Sequence, residues 1–206
     1  RKMASKMFRH QYPFLIKRSY QPTFFRNFTD SILTHISSDG ERPTMVDVGD
    51  KSITVRQAVA SCKVLLPPET LEALGVNNSN NKEDPTMIKT NELVSKKGPI
   101  VSTAIVAGVM AVKKTSDLIP FCHPLPLDYI GIDITWVDES YTELLIKCCV
   151  KVKHSTGVEM EAMTGATTAA LCIYDMCKAS SHDIIITNVQ LDSKTGGKRH
   201  FQRIEK

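Results

Sequence analysis

Residues 158–178 read VEMEAMTGATTAALCIYDMCK, and the spacing of their side chains predicts one long helix. Apolar and small residues recur every three or four positions, which is the pattern of a helix with one buried face. The positions on this face are Val158, Ala162, Ala166, Ala169, Ile173 and Met176. We therefore expect the helix to pack along one side against the rest of its domain.

Four charged residues stand on this helix, and two of them are close enough to interact. Asp175 and Lys178 are three positions apart and share a face. Glu161 and Asp175 are fourteen positions apart and would be ~21 Å from each other along the axis. The pattern leaves open an ordinary solvated face with one ion pair, or a site for a long substrate or a second subunit. Glu159 is the fourth charged residue of the helix.

The preceding segment predicts an antiparallel hairpin that buries one face. Apolar residues alternate with polar ones over 129–136 and again over 143–152, and residues 138–142 form the turn. The inward set is Ile130, Ile132, Ile134, Trp136, Leu144, Ile146, Cys148, Val150 and Val152.

The other predicted elements complete an α+β two-layer sandwich, with long helices packed on one face of an antiparallel sheet. A helix over 54–66 would begin at Thr54 and place Val55, Ala58, Cys62 and Leu65 on one side. The remaining elements are a strand at 45–48, helices at 69–74 and 99–114, an extended loop at 117–124 and a strand at 183–191. The helix over 99–114 is rich in Ala and Gly, which permits close packing.

Charge divides the 206-residue chain into a basic leader and a folded body. Residues 1–29 carry seven Lys or Arg and no acid, whereas the remainder has 19 basic and 22 acidic residues. We interpret 1–43 as a disordered leader or linker of the transit-peptide type, and 44–206 as one domain. A polar insertion is expected near 77–86. The acidic balance of the body argues against a nucleic-acid surface, and no run is apolar enough to span a membrane.

Six cysteines show no spacing typical of a metal site, so we predict no metal. The sequence has no Cys-x-x-Cys, and Cys148 and Cys149 would point to opposite faces of a strand. Buried, reduced thiols are the expected state.

Loops hold the residues that are best suited to chemistry. Lys97 precedes a helix N-terminus, which favours anions, and His123 lies in a proline-bounded loop. Residues 194–198 read KTGGK, a basic loop whose glycines permit close approach to a phosphate, although it lacks P-loop spacing. Each of these features, taken alone, has a structural role more often than a functional one. The residues by themselves indicate an anion-binding acid–base site.

Five motifs in order resemble the cyclic pyranopterin monophosphate synthase family, also called molybdenum cofactor biosynthesis protein C. They are MVDV at 45–48, LIPFCHPL at 118–125, TGVEMEA at 156–162, YDMCKA at 174–179 and SKTGG at 193–197. The resemblance covers roughly residues 44–198. It departs at Pro99, where the family often has Asp, and at Gly165, where Ala or Ser is commoner.

The resemblance implies a ferredoxin-like core and a lyase with no cofactor. The lyase would convert 3′,8-cyclo-7,8-dihydro-GTP into cyclic pyranopterin monophosphate with release of pyrophosphate, an early step of molybdenum cofactor biosynthesis. It further implies a homohexamer, built as a trimer of dimers with sites between subunits, and a radical-SAM GTP cyclase that supplies the substrate. The basic leader suggests the mitochondrial matrix, with the cytoplasm as the alternative.

The matching motifs also imply the roles of individual residues. Asp175, Lys97 and Lys178 would be catalytic, with the lysines as acid–base and charge-stabilising groups. The implied substrate-binding residues are Phe121, Cys122, His123, Glu159, Met160, Glu161, Asp47, Arg56 and Lys194.

Three other functions are compatible with parts of the pattern. An RNA-binding module would need exposed aromatics and a basic sheet face, but the outward positions of the hairpin carry mixed charge and one aromatic. A scaffold without activity predicts the loss of Lys97, His123, Asp175 or Lys178, and all four are present. A different nucleotide-processing enzyme on the same scaffold stays open.

Overall fold

Strand β1 (Thr54–Leu65) lies at the centre of a five-stranded antiparallel sheet. The structure, a computed structural model, describes residues 42–76 and 92–204. In chain order, the other elements are α1 (Pro68–Ala73), β2 (Val94–Ser95), β3 (Gly98–Pro99), α2 (Ile100–Val112), α3 (Thr115–Leu118), β4 (Tyr129–Trp136), β5 (Glu143–His154), α4 (Glu159–Cys177), β6 (Ile185–Thr195) and β7 (Phe201–Gln202).

The long elements follow the order β-α-β-β-α-β of a ferredoxin-like fold. Across the sheet the strands lie in the order β4-β5-β1-β6-β7, and each neighbouring pair is antiparallel. Helices α2 and α4 pack together and against the sheet. The predicted α+β sandwich is therefore confirmed.

The core lies between this helical layer and one face of the sheet. Alternate residues of β1 are buried, from Ala58 to Val64, and so are alternate residues of β5, from Leu144 to Val152. The six positions of the predicted apolar face of α4 are all buried as well. The period of two in the strands and the period near 3.6 in the helix thus converge on one core.

Helices α2 and α4 approach so closely that glycine is required where they meet. A Cβ atom on Gly165 would lie 2.5 Å from Val112 Cγ2 and 2.7 Å from Cys148 Sγ. On the facing helix, a Cβ on Gly108 would lie 2.8 Å from the carbonyl oxygen of Gly165. The Ala- and Gly-rich composition of α2 permits this spacing, as predicted.

The helix predicted over 54–66 is wrong, because this segment is strand β1. Ala58, Ala60, Cys62 and Val64 are all buried, with a period of two. The helical spacing of Val55, Ala58, Cys62 and Leu65 was misleading. Alanine and cysteine have little strand preference of their own, so nothing in the composition argued against a helix. The pairing of β1 with strands on both sides decides its conformation.

The strand predicted at 45–48 is also wrong, since this segment contains no regular strand. Its hydrogen bonds are those of local turns: Gly49 N donates to Asp47 Oδ1, and Lys51 N donates to the Val48 oxygen. The loop predicted at 117–124 begins within α3, and the last long strand runs to Thr195 rather than 191.

The hairpin and the other helices are confirmed to within about two residues. Residues 1–41 of the predicted leader and the insertion expected at 77–86 lie outside the described residues. None of the helices that the structure describes has the length and apolar character needed to cross a membrane.

Candidate active site

Two lysines converge on the carboxylate of Asp175 at the C-terminal end of α4. Lys97 Nζ lies 2.8 Å from Asp175 Oδ2, and Lys178 Nζ lies 2.8 Å from Asp175 Oδ1. Lys97 Nζ also donates to the backbone oxygen of Asp175, at 2.7 Å. The three residues that the sequence predicts as catalytic therefore meet within one chain.

Different elements bring the two lysines to this carboxylate. Lys178 caps the C-terminal end of α4, three residues after Asp175, so the helix itself sets their spacing. Lys97 lies at the tip of the short hairpin formed by β2 and β3. In that tip Lys97 N donates to Ser95 Oγ, and Gly98 has a φ of 110°, which favours glycine.

The hydrogen bonds of this cluster favour the charged forms of Asp175 and Lys178. Hydrogen bonds from Lys178 and then Lys97 lower the pKa of Asp175 to about 2. The hydrogen bond to Asp175 raises the pKa of Lys178 above its usual value. The cluster is exposed, so a solvated ligand can reach its ammonium groups directly.

A cleft of about 830 Å³ lies at the other end of α4. Five cationic side chains line it, together with three acidic ones and a glycine-rich loop. The cations are Lys51, Arg56, Lys194, Lys198 and Arg199; the acids are Asp47, Asp50 and Glu159. Clustered cations beside a glycine-rich loop are suited to a ligand with several phosphates.

Arg56 is held rigidly in the wall of this cleft. Its Nε donates to the oxygen of His154 at 2.9 Å, and the backbone of Gly196 and Gly197 covers its side chain. A Cβ atom on Gly197 would lie 3.1 Å from Arg56 Cζ. Both glycines have positive φ, of 80° and 73°, so neither space nor conformation suits a larger residue there.

The first turn of α4 contributes a second ion pair to the cleft. Lys194 Nζ lies 2.8 Å from Glu159 Oε1, and both side chains are half-buried. Lys194 comes from the end of β6, where it pairs with Ala58 of β1. The central strand and the helix N-terminus thus fix this pair from two sides.

Glu161 is buried beneath this end of α4, with 5% of its surface exposed. Burial raises its pKa to about 7, and the nearby Glu159 carboxylate adds to the rise. Burial also raises the pKa of Cys122, and the charge of Glu161 is a second cause. The loop that carries Phe121, Cys122 and His123 therefore lies beside Glu161, while Met160 is exposed.

The predicted site residues fall into two groups at opposite ends of α4. Lys97, Asp175 and Lys178 form one group. Asp47, Arg56, Glu159 and Lys194 line the cleft, and the loop at 121–123 with Glu161 lies at the same end of the helix. Glu161 and Asp175 are fourteen helical residues apart, or ~21 Å along the axis.

Three cations of the cleft were not among the predicted site residues. Lys198 and Arg199 follow the paired glycines, and Lys51 follows the turn at Asp47. The run of basic residues after Gly197 is visible in the sequence, but only the folded β6–β7 loop brings it beside Arg56.

The described residues hold no group of three or more His, Cys, Asp or Glu side chains arranged to bind a metal ion. Charged lysines beside a carboxylate, together with a buried carboxyl whose pKa is near 7, suit proton transfer and charge stabilisation. Fold and site together define a ferredoxin-like α+β protein with a cationic cleft and a lysine–aspartate–lysine cluster.

Comparison with known sequences identifies the family. The chain belongs to the MoaC family, whose sequence signature matches residues 45–197. The matched range contains every predicted site residue, and the predicted family is confirmed.

Similar proteins include both short and long chains. A cyclic pyranopterin monophosphate synthase of Xanthomonas axonopodis pv. citri is 48% identical over 173 residues, which cover 84% of this chain and 94% of the relative. The synthase of a Nostoc species is 44% identical over 166 residues, or 81% of this chain and 88% of the relative. Molybdenum cofactor biosynthesis protein 1 of Dictyostelium discoideum is 50% identical over 175 residues, but this chain spans only 28% of its length.

Proposed function

We propose that this chain is a cyclic pyranopterin monophosphate synthase of molybdenum cofactor biosynthesis. It converts 3′,8-cyclo-7,8-dihydro-GTP into cyclic pyranopterin monophosphate and releases pyrophosphate. The observation that carries the proposal is the Asp175 carboxylate shared by Lys97 and Lys178, in a member of the MoaC family.

The reaction requires proton transfers at the base and displacement at phosphorus. The purine five-membered ring is opened and a pterin ring is closed, so protons leave and join several nitrogen and carbon atoms. Lys97 and Lys178 act as acid–base and charge-stabilising groups, and Asp175 orients both ammonium groups through one oxygen each. The raised pKa of Lys178 keeps its ammonium group charged, which suits the stabilisation of negative charge that develops during the reaction.

In the second half of the reaction, a ribose-derived hydroxyl attacks the α-phosphorus. The bond from the α-phosphorus to the bridging oxygen breaks, and the leaving pyrophosphate takes the electron pair. Negative charge accumulates on that pyrophosphate, and the cations around the cleft stabilise it. Arg56 and Lys194 serve this purpose, with Asp47 and Glu159 as polar partners.

The two ends of α4 are too far apart to act on one substrate within one chain. We therefore infer that the cleft of one subunit and the Lys97–Asp175–Lys178 cluster of another enclose the substrate together. A homohexamer built as a trimer of dimers satisfies this requirement. The substrate-binding role that the family resemblance implies for Phe121, Cys122, His123, Met160 and Glu161 fits this arrangement.

The cellular setting follows from the chemistry and from the leader. The substrate is a cyclised GTP, and the family resemblance implies that a radical-SAM GTP cyclase supplies it. Seven basic residues without an acid over 1–29 favour import into the mitochondrial matrix; the cytoplasm is the alternative.

The proposal is tested by supplying purified protein with enzymatically prepared 3′,8-cyclo-7,8-dihydro-GTP and measuring pyrophosphate. We expect release from this substrate and none from GTP, which has the same triphosphate but an intact purine. Equal release from GTP would indicate a general nucleotide pyrophosphohydrolase. No release from a well-folded protein would favour a scaffold or another nucleotide substrate.

A further inference from the structure

Helix α2 begins at a residue that cannot cap it through its side chain. Its N-cap position is Pro99, which makes no side-chain hydrogen bond to the helix. The first amides of a helix have no partner within the helix, and an N-cap side chain normally accepts hydrogen bonds from the second and third of them. In α2 these amides belong to Val101 and Ser102.

Glu92, seven residues before Pro99, accepts both hydrogen bonds. Val101 N donates to Glu92 Oε1 at 2.8 Å, and Ser102 N donates to Glu92 Oε2 at 3.0 Å. The Ser102 hydroxyl also donates to Oε2. Partial burial alone would raise the pKa of Glu92, but these hydrogen bonds lower it below its usual value. The carboxylate thus fills the role of a distant N-cap.

This contact closes a short loop of chain that carries Lys97. The chain runs from Glu92 through β2 and β3 into the first turn of α2, over residues 92–102. Inside the loop, Ile100 N donates to the Leu93 oxygen at 2.7 Å, and the two strands pair from Val94 to Pro99. With Glu92 attached to Val101 and Ser102, both ends of the loop are joined to the first turn of α2.

We propose that Glu92 is a positioning residue for Lys97. By capping α2 across the hairpin, its carboxylate fixes the direction in which the hairpin tip projects, and so holds Lys97 Nζ against Asp175. The inference rests on the proposed function, in which Lys97 is catalytic. A displacement of about 1 Å at a catalytic group can cost up to about 100-fold in rate, so a small tilt of the hairpin matters.

Since α2 is buried by other contacts along its length, Glu92 affects the hairpin more than the fold. Ile100, Val101, Ala104 and Val112 all lie in the core. Loss of one helix cap lowers the stability of a protein only modestly. Removal of the carboxylate should therefore leave the protein folded and affect catalysis through geometry.

The test compares the chain with Glu92→Ala, and with Glu92→Ala combined with Pro99→Ser. Serine at 99 restores a neutral N-cap for the same two amides without adding charge beside Lys97. Glu139→Ala removes a carboxylate from an exposed turn and serves as the matched control. The readouts are kcat and KM for pyrophosphate release, the melting temperature, and amide hydrogen exchange of the peptide over 93–102.

We expect Glu92→Ala to lower kcat by roughly 10- to 100-fold, with little change in KM, because the cationic cleft is untouched. Exchange over 93–102 should accelerate. Pro99→Ser should restore protection of the Val101 and Ser102 amides but not kcat, because a serine cap does not join residue 92 to the first turn of α2. Glu139→Ala should behave as the unaltered chain. An unchanged kcat in Glu92→Ala would overturn the proposal, as would a kcat restored in the double variant, because a cap alone would then be sufficient.

A failure of the proposed function is distinguishable from a failure of this inference. If the unaltered chain releases no pyrophosphate, the synthase assignment fails, but the exchange measurement still tests the hairpin. Unchanged exchange over 93–102 in Glu92→Ala would then reject Glu92 as the group that holds the loop.

Discussion

Asp175 illustrates how one exposed side chain can organise a site. Each of its carboxylate oxygens accepts from a different lysine, at 2.8 Å. Its pKa near 2 means that it stays ionised over the working pH range and holds two ammonium groups at a fixed separation. Two cations around one anion leave an excess of positive charge, which favours a phosphorylated substrate.

Replacement of Asp175 by Asn should lower turnover by at least about 100-fold, because both lysines lose the anionic partner that holds their ammonium groups in place. The melting temperature should change little, since exposed ion pairs contribute little to stability. Asp183→Asn, at an exposed position after α4, is the control for charge. A drop of many degrees in the melting temperature of Asp175→Asn would make Asp175 a structural acid.

Glu161 should make stability depend on pH. Because burial raises its pKa from 4.5 to about 7, the folded state binds the proton more tightly than the unfolded state. This contribution to stability is complete below about pH 4.5 and is lost as the pH rises through about 7; the shift corresponds to about 3 kcal/mol.

Glu161→Gln should therefore be more stable than the unaltered chain at about pH 8, by up to about 3 kcal/mol, and nearly equal to it at about pH 5. Urea denaturation at both pH values, at one protein concentration, measures the difference. An equal difference at the two pH values would show that Glu161 does not titrate in this range.

At the scale of elements, the contact between α2 and α4 determines where both groups of site residues stand. Helix α4 carries Glu159 and Glu161 at one end and Asp175 at the other, so any shift of the helix moves both. At Gly165 the helix lies close against Val112 of α2 and Cys148 of β5, so this contact helps to set its position.

Gly165→Ala should destabilise the protein by about 1–3 kcal/mol, because its Cβ would lie 2.5 Å from Val112 Cγ2 and overpacked cores carry such penalties. The better helix propensity of alanine offsets only part of this. Thr167→Ala, at a half-buried position on the same helix, is the control. A melting temperature equal to or above that of the unaltered chain would mean that the two helices have room to separate.

The elements that could be predicted are those whose pattern depends on one face alone. The hairpin β4–β5 and the helix α4 alternate or recur clearly, so their burial followed from the sequence. Strand β1 could not be recognised, because it is the central strand and its buried residues include Ala58, Ala60 and Cys62, which also suit a helix. Its pairing with both β5 and β6 is a property of the assembled sheet.

The site was predictable in part, where its residues lie on one element. The spacing of Asp175 and Lys178 fixes their contact within one helix, whereas Lys97 comes from 78 residues earlier in the chain. The family motifs pointed to Lys97, but residue spacing alone could not bring it to Asp175. Nor could spacing reveal Glu92 as a cap, because Glu92 acts across a hairpin rather than at the N-cap position.

At the scale of the whole molecule, the separation of the two groups of residues predicts a site shared between subunits. Arg56→Ala alters the cleft, and Lys178→Ala alters the Lys97–Asp175–Lys178 cluster. Each variant alone should be inactive. If the site is shared, mixed assemblies of both chains should regain about a quarter of the activity, since random pairing leaves one intact site in half of the symmetric dimers. The measurement is pyrophosphate release after joint refolding or co-expression.

The matched control mixes Lys97→Ala with Lys178→Ala. Both changes lie in the same half, so no combination of these subunits restores a complete site. Recovery in the first mixture alone supports a shared site. No recovery in either mixture, with assemblies of both chains present, would mean that each chain contains a complete site.

The proposed synthase rearranges the cyclised nucleotide through the Lys97–Asp175–Lys178 cluster. Pterin product and pyrophosphate should be quantified together, from 3′,8-cyclo-7,8-dihydro-GTP, for the unaltered chain and for folded Lys97→Ala and Lys178→Ala. We predict equal amounts of both products from the unaltered chain and neither product from the two variants. Product formation by the lysine variants at the rate of the unaltered chain would contradict the assignment.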